Sequence, residues 1–250
     1  MHTAQWKEYF DWSSKNLLRC PAENYRLLPG ERKRIERSIR GFQLGEASEG
    51  RFLKAAAEAF AREAGNPDYP ATIASLIREE NRHSAYLGAF MRKQGIPTAR
   101  THWLDRAFRA VRRLCGLELN IRVLVTAELI ALTYYECLGQ ATFSRELEAI
   151  CARMGEEERA HVRYQMHHIH WINGRRFPLF GALADIGHAL LLAATLAAVW
   201  LEHRPVLSIR HGFGSFFAKV WDDFREAMDQ GRESAWQELE RRHHEDQASL

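Results

Sequence analysis

The chain has 250 residues, of which 46% are hydrophobic and 27% charged, and its formal net charge is +3 at pH 7. This composition is ordinary for a soluble globular protein and is enough for one large domain or two small ones. The charge is too small to indicate nucleic-acid binding, so we expect no nucleic-acid partner. Only seven prolines and little β-branched alternation predict an all-α fold.

The cysteines are far apart and form no C-x-x-C pair, which favours reduced intracellular thiols over a disulfide framework. They are Cys20, Cys115, Cys137 and Cys151. The residues from Met1 to Glu8 lack the basic start and apolar run of a signal peptide. We therefore expect a cytoplasmic protein.

In chain order, the first predicted unit is an amphipathic arm over residues 1–30. Aromatic residues among charges predict a short helix over 3–19, and Pro21, Pro29 and Gly30 punctuate the linker that follows. We expect the arm to pack over the rest of the chain.

Residues 31–64 predict a long first helix that contains Gly41, Gly45 and Gly50. Each glycine costs about 1 kcal/mol relative to alanine inside a helix, so we expect neighbouring chain to approach closely there. The segment from Gly65 to Pro70 ends this helix and begins a second one over residues 70–94.

A basic amphipathic connection over residues 98–116 leads to a third helix over 117–141, whose middle is strongly apolar around Glu128. A carboxylate among such neighbours is costly to bury without a partner. Ser144 is a good N-cap for a fourth helix that runs to Asn173.

Two short motifs carry the chemistry. Glu80 and His83 form one E-x-x-H, and Glu158 and His161 form another. The three-residue spacing places each carboxylate and imidazole on the same helix face. Two helices that each give Glu-x-x-His, with two that each give Glu, make the inward-facing ligand set of dinuclear carboxylate bundles.

Partner glutamates precede both motifs at comparable distances. Glu128 precedes the second motif, and either Glu46 or Glu49 precedes the first. The small residues around Glu46 favour it as the ligand, whereas nearly equal hairpin arms favour Glu49. We favour Glu46 as the ligand, with Glu49 as a neighbour or an alternative bridge. In the second hairpin, Glu128 and Glu158 are nearly equidistant from the turn, so we expect them to face each other.

Over residues 31–173 the sequence resembles the ferritin-like di-iron carboxylate superfamily. The resemblance implies a ferritin-like four-helix bundle, here with N-terminal and C-terminal helical extensions, that binds two iron ions or an iron–manganese pair. It also implies that the protein activates O₂ to oxidise a small organic substrate, with electrons from a separate reductase. Ferroxidase or iron-handling activity, and a non-enzymatic scaffold stapled by metal, are the alternatives.

Each motif continues to a tyrosine three residues after its histidine, Tyr86 and Tyr164. These phenols would hydrogen-bond the ligands or take part in redox steps, although ordinary core tyrosines explain them equally well. The cluster His167, His168 and His170 follows the second motif, and we expect these side chains at the solvated surface.

Residues 174–250 form the C-terminal extension, and residues 177–201 are its most apolar part. Asp185 and His188 interrupt that run, which leaves too few uninterrupted apolar residues to span a bilayer. We therefore expect a helix buried against the bundle or at a homodimer interface, with monotopic membrane attachment less favoured. A further amphipathic segment over 212–228 precedes a charged end, expected to fray from Arg232.

Overall fold

The computed structural model describes residues 3–47, 50–113, 116–174 and 177–248. These ranges contain nine α-helices and no strand. The helices are α1 (Thr3–Lys15), α2 (Pro29–Glu46), α3 (Arg51–Ala64), α4 (Tyr69–Lys93), α5 (Trp103–Arg113), α6 (Leu117–Gly139), α7 (Arg145–Asn173), α8 (Pro178–Leu207) and α9 (Phe213–Ala248). The expectation of an all-helical chain is confirmed for this part of the sequence.

The α6–α7 hairpin is the centre of the helical packing. The two helices are joined by residues 140–144 and pack together more extensively than any other pair. On this hairpin, α4 contacts α7, α8 contacts α6, and α9 contacts α7, while α2 packs against α4 and α8. The buried apolar faces of these helices form one large hydrophobic cluster. The fold is therefore a helical bundle whose interior is lined by α2, α4, α6 and α7.

The prediction of one continuous helix over residues 31–64 is wrong. α2 ends at Glu46 and α3 begins at Arg51. Gly50 precedes α3 with φ +63°, in the left-handed region that residues with a Cβ adopt only at a cost. A Cβ at this position would also overlap the Ile77 side chain of α4. The break leaves Glu46 at the C-terminal end of α2.

Two other helix ends can be compared with the predictions from the sequence. The Ser144 side chain accepts a hydrogen bond from the Leu147 amide at 3.2 Å, which confirms the predicted N-cap of α7. At the other end of the chain, α9 continues as helix to Ala248, so the expected fraying from Arg232 is wrong.

The N-terminal arm packs as expected. Trp6 and Phe10 of α1 are buried and form a second hydrophobic cluster with Leu76 of α4 and Tyr164 of α7. The ring centroids of Trp6 and Tyr164 are 5.2 Å apart in an edge-to-face arrangement. α1 therefore covers the α4–α7 side of the bundle.

α8 has two different faces. Asp185 and His188, which interrupt its apolar sequence, point inward to α6: Asp185 Oδ1 accepts a hydrogen bond from the Arg122 guanidinium at 2.8 Å, and His188 Nε2 lies 3.1 Å from Thr126 Oγ1. The opposite face is exposed. By length and composition alone, α8 is long and apolar enough to cross a membrane, so the expectation that its apolar run is too short is wrong. Only 28% of its most apolar stretch is buried.

Candidate metal centre

Six of the predicted ligand side chains come together in the middle of the bundle. Their potential ligand atoms form two groups, in each of which all atoms lie within 4.8 Å of one another. One group is Glu46, Glu80, His83 and Glu158, and the other is Glu80, Glu128, Glu158 and His161. Because Glu80 and Glu158 belong to both groups, the two groups are adjacent and share two carboxylates. This buried Glu/His cluster is suited to holding metal ions.

Helical spacing explains how four helices deliver these groups. In α4 and α7 the Glu and His of each motif are one turn apart on the face that points into the bundle. Glu128 and Glu158 are in the same group, as their positions in the hairpin predicted. His83 and His161 are fully buried. Such burial would be costly without partners that offset the loss of hydration.

The inner atoms of the cluster point at one another across short distances. His83 Nδ1 lies 3.2 Å from Glu158 Oε1 and 3.7 Å from Glu46 Oε2. His161 Nδ1 lies 2.9 Å from Glu80 Oε1 and 3.3 Å from Glu158 Oε2.

Buried polar atoms without a hydrogen bond mark the same place. His83 Nδ1, Glu80 Oε1 and Glu128 Oε2 are buried, and none of them makes a hydrogen bond with acceptable geometry. Buried polar atoms are nearly always satisfied, so three orphaned atoms in one cluster call for an explanation. A metal ion accepts lone pairs from all three, which makes the residues present a good fit to a metal site.

The outer nitrogen of each histidine is held by a carboxylate from the opposite helix. His83 Nε2 of α4 lies 2.7 Å from Glu157 Oε2 of α7, and His161 Nε2 of α7 lies 3.1 Å from Glu79 Oε2 of α4. Each motif is therefore E-E-x-x-H, with one glutamate pointing inward and the preceding one bracing the other histidine. Glu79 and Glu157 were not predicted from the sequence, although the doubled glutamate is visible in it.

Arginines and a serine complete this outer layer. The Arg82 guanidinium donates to Glu79 and, at 3.1 Å, to Glu157, while Arg153 lies 2.6 Å from Glu157. The Ser13 hydroxyl of α1 hydrogen-bonds both outer carboxylates. The positive charges of two guanidinium groups thus balance the negative charges of two outer carboxylates. The four inner carboxylates, with neutral imidazoles, would balance two divalent cations.

Two hydrogen bonds to the inner carboxylates were also not predicted from the sequence. The Tyr135 hydroxyl of α6 donates to Glu46, and the Gln165 amide of α7 donates to Glu128. Gln165 is one turn beyond His161, so helical spacing could have found it. Tyr135 belongs to another helix, and only the packing of α6 against α2 brings it to Glu46.

The pKa shifts show that the cluster concentrates negative charge. Burial raises the pKa of Glu46 to about 8, and the nearby charges of Glu80 and Glu158 act in the same direction. Burial and Glu158 also raise the pKa of Glu128 well above its usual value. For Glu158 burial alone would raise the pKa, but the hydrogen bond with His161 and the nearby imidazole of His83 outweigh it and lower the pKa to about 2.

The histidines respond to the same charge. Burial alone would lower the pKa of His83, yet the hydrogen bond to Glu157 and the nearby carboxylates of Glu158 and Glu46 outweigh it and raise that pKa well above the ordinary value. His161 behaves in the same way through Glu158, Glu79 and Glu80. Both shifts have the same cause, the concentration of carboxylates around the two imidazoles, and such surroundings favour a bound positive charge.

The remaining predicted site residues lie elsewhere. Glu49 falls outside the described residues. Tyr86 accepts a hydrogen bond from the Leu18 amide at 3.1 Å, and the Tyr164 hydroxyl lies 2.6 Å from Thr72 Oγ1 among aromatic rings. The role predicted for these two tyrosines stays a prediction. His167, His168 and His170 are buried, so the expectation that they are solvated is wrong.

A cavity of about 130 Å³ lies beside the cluster. Four inner carboxylates, Glu46, Glu80, Glu128 and Glu158, form part of its wall. Most of the remaining wall is apolar and comes from α2, α5, α6 and α8; it includes Phe42, Phe108, Val123, Ala127, Ile130 and Val199. A few polar side chains, His102, Arg109, Thr195 and His203, complete the lining. A volume of this order has room for a ligand about as large as benzene.

His203 is the best-defined polar group of the cavity wall. Burial lowers its pKa to about 3, so the imidazole is neutral near pH 7. Its Nδ1 lies 2.9 Å from Ser38 Oγ, which in turn lies 2.9 Å from the Tyr134 hydroxyl. The ring edge of His203 also approaches Gly41, where a Cβ would come within 3.3 Å of it. This close approach confirms the neighbour expected at Gly41.

Comparison with known proteins adds no assignment: no protein-family model, curated protein or solved structure matches the chain.

Proposed function

We propose that the chain is a dinuclear metal oxidoreductase of the ferritin-like carboxylate class, which uses O₂ to oxidise a small, largely apolar organic molecule. The observation that carries the proposal is the pair of adjacent Glu/His groups with two shared carboxylates, opening onto an apolar cavity. The ligand sequence Glu, Glu-x-x-His, Glu, Glu-x-x-His along four helices supports the ferritin-like bundle over residues 31–173.

The donor set favours iron, or iron with manganese. One ion would be held by Glu46, His83 and the shared carboxylates of Glu80 and Glu158. The other would be held by Glu128, His161 and the same shared pair. Carboxylates mixed with imidazoles suit these metals, whereas thiolate ligands, which favour zinc and iron–sulfur clusters, are absent from both groups. When bound, the metal pair supplies the redox chemistry and the binding of O₂.

The chain's own side chains perform the remaining tasks. Glu79 and Glu157 fix the rings of His161 and His83, and α1 and the arginines shield that side of the cluster. The apolar wall binds the body of the substrate and excludes water. The neutral imidazole of His203 orients a polar substituent by hydrogen bonding. Electrons come from a separate donor, since the donor set described here includes no second redox group.

The lining of the cavity favours oxidation of an organic molecule over iron handling. A ferroxidase needs a polar path for hydrated iron, whereas the wall beside this cluster is mostly apolar and matches the lining of small-molecule pockets. The iron-handling function is therefore the alternative that experiment should exclude.

The test is O₂ consumption by reduced, iron-loaded protein in the presence of small aromatic and aliphatic compounds. Ala127 lies in the cavity wall and is exposed, so Ala127→Phe fills the cavity without disturbing the core. We expect a compound that fits to accelerate O₂ uptake in the wild type by at least about tenfold, an effect of 1.4 kcal/mol. Ala127→Phe should keep its iron and lose this acceleration.

Ala71→Phe is the matched control, because Ala71 is an exposed alanine of α4 outside the cavity wall. It should behave as the wild type. If no compound accelerates O₂ uptake and repeated additions of Fe(II) build a mineral core instead, the proposal is wrong and iron storage replaces it.

A further inference from the structure

The exposed face of α8 consists of seven apolar side chains that follow one another along the helix. We name this set the outer face: Leu179, Leu183, Ile186, Leu190, Ala194, Ala197 and Leu201. Every member is exposed, and Leu190 and Leu201 expose 67% and 80% of their surface. Because consecutive members are three or four residues apart, these side chains form one continuous stripe.

The outer face carries no charge. The two acidic residues of α8 both turn away from it: Asp185 pairs with Arg122 of α6, and Glu202 accepts hydrogen bonds from Arg37 and from the Trp103 indole. An uncharged apolar stripe of this length is unusual on the surface of a monomer and indicates a surface that is normally covered.

The positions of the outer face are symmetric about Leu190. Ile186 and Ala194 lie four residues to either side of it, and Leu183 and Ala197 lie seven to either side. Leu179 and Leu201 lie eleven residues away in opposite directions. A second copy of the stripe, placed antiparallel with Leu190 at the two-fold axis, therefore meets the first in register along its whole length.

Side-chain size follows the same symmetry in a complementary way. In the antiparallel register Ile186 of one copy faces Ala194 of the other, and Leu183 faces Ala197. In these two pairings a large side chain meets a small one, which lets two helices pack closely, whereas Leu190 meets its own copy and Leu179 meets Leu201. An exposed Gly187, with no atom within 4 Å of the position of a Cβ, adds further room beside the axis. A lipid bilayer would not require such matching.

The area is also sufficient for a dimer. The outer face, with its exposed neighbours Phe177 and Phe180, would hide on the order of 800 Å² per protomer if fully covered, which is the size of a standard interface. Antiparallel pairing also places the opposite ends of the two helix dipoles together. We propose that the outer face of α8 binds the outer face of a second copy of this chain, antiparallel and with Leu190 on the two-fold axis.

The pairing has a consequence for the cavity. Thr195, Val199 and His203, on the inner side of α8, line the cavity, so one helix carries the dimer contact and part of the cavity wall. The partner copy braces this wall from behind. The proposed dimer contact involves the outer face alone and does not depend on the proposed oxidation chemistry.

Cysteine cross-linking tests the register directly. In a background that carries Cys20→Ser and Cys115→Ser, Leu190→Cys should form a disulfide with its own copy on mild oxidation. The product should migrate at twice the chain mass of 28.9 kDa. The background without Leu190→Cys should stay uncross-linked, because Cys137 and Cys151 are buried.

Leu183→Cys and Ala197→Cys separate the orientations. In the antiparallel register the two copies of either position are about 20 Å apart along the helices, too far for a disulfide. Each variant alone should stay uncross-linked, whereas the two co-expressed with different tags should cross-link to each other. Self-cross-linking of each variant alone would show a parallel pair and overturn the proposal.

A charge substitution tests whether the face holds the dimer together. Leu190→Glu would place two like charges at the axis and should sediment as a monomer of unchanged helicity. Phe143→Glu, at a side chain that is 80% exposed on the α6–α7 turn, should remain dimeric. A wild-type protein that is monomeric, or that is recovered with lipid vesicles and released only by detergent, contradicts the proposal.

Discussion

At the residue scale, the histidines of the candidate metal centre are held by glutamates that point away from the inner carboxylates. Glu157 hydrogen-bonds His83 and balances Arg82 and Arg153, so it fixes the ring and the local charge together. For Glu157 burial raises the pKa, but the hydrogen bond with His83 and the arginine charges outweigh it and lower the pKa to about 2. The carboxylate is therefore ionised at neutral pH and makes His83 a better ligand.

Glu157→Gln should weaken metal binding by about 10- to 100-fold, because the amide cannot supply the negative charge that balances the arginines and polarises the imidazole. Competition with a chromophoric chelator measures this loss. Glu156→Gln is the control one residue away, since the Glu156 side chain is 67% exposed. Equal affinity in the two variants would show that Glu157 does not support the site.

The inner residues could be predicted from the sequence and most of the outer ones could not. Glu80, His83, Glu158 and His161 are visible because a three-residue spacing fixes a shared helix face. The hydrogen bonds between Glu79 and His161 and between Glu157 and His83 join different helices, so they depend on how α4 and α7 pack. The sequence shows the doubled glutamate but not which histidine each one reaches.

At the element scale, the break between α2 and α3 positions Glu46. Gly50 allows the chain to enter α3 through a left-handed conformation and leaves room for Ile77 of α4. From the sequence, Gly50 was predicted to be one of three glycines inside a single helix. Helical periodicity continues on both sides of the break, so the pattern alone does not reveal a turn that depends on one residue's backbone angle.

Gly50→Ala should lower the free energy of unfolding by at least about 1–2 kcal/mol, the cost of a left-handed conformation for a residue with a Cβ. Overlap with Ile77 adds to this loss. Gly45→Ala should have the opposite effect and stabilise α2 by about 0.5–1 kcal/mol, because no atom lies within 4 Å of its Cβ position. Denaturant unfolding of both variants measures the difference, and a Gly50→Ala protein as stable as the wild type would contradict the account.

At the scale of the whole molecule, α8 joins the cavity to the surface of the bundle. The sequence predicted an apolar helix with a buried or subunit-facing role, and it could not assign the two faces. Hydropathy is high around the entire helix, and only the packing on α6 shows that Asp185 and His188 point inward. The exposed outer face then follows from their position.

The central claim is that the two Glu/His groups together hold two metal ions per chain, with Glu80 and Glu158 shared between them. Burial, orphaned ligand atoms and the balance of charge all support this reading.

Metal analysis of the protein after anaerobic loading with Fe(II) and removal of loosely bound ions tests it most directly. We expect two ions per wild-type chain and no more than one in Glu128→Ala, which lacks a ligand of one group only. Glu136→Ala, two turns further along α6 and paired with Arg159 at the surface, should keep both ions. Only trace metal in the wild type, or full loading of Glu128→Ala, would contradict the account.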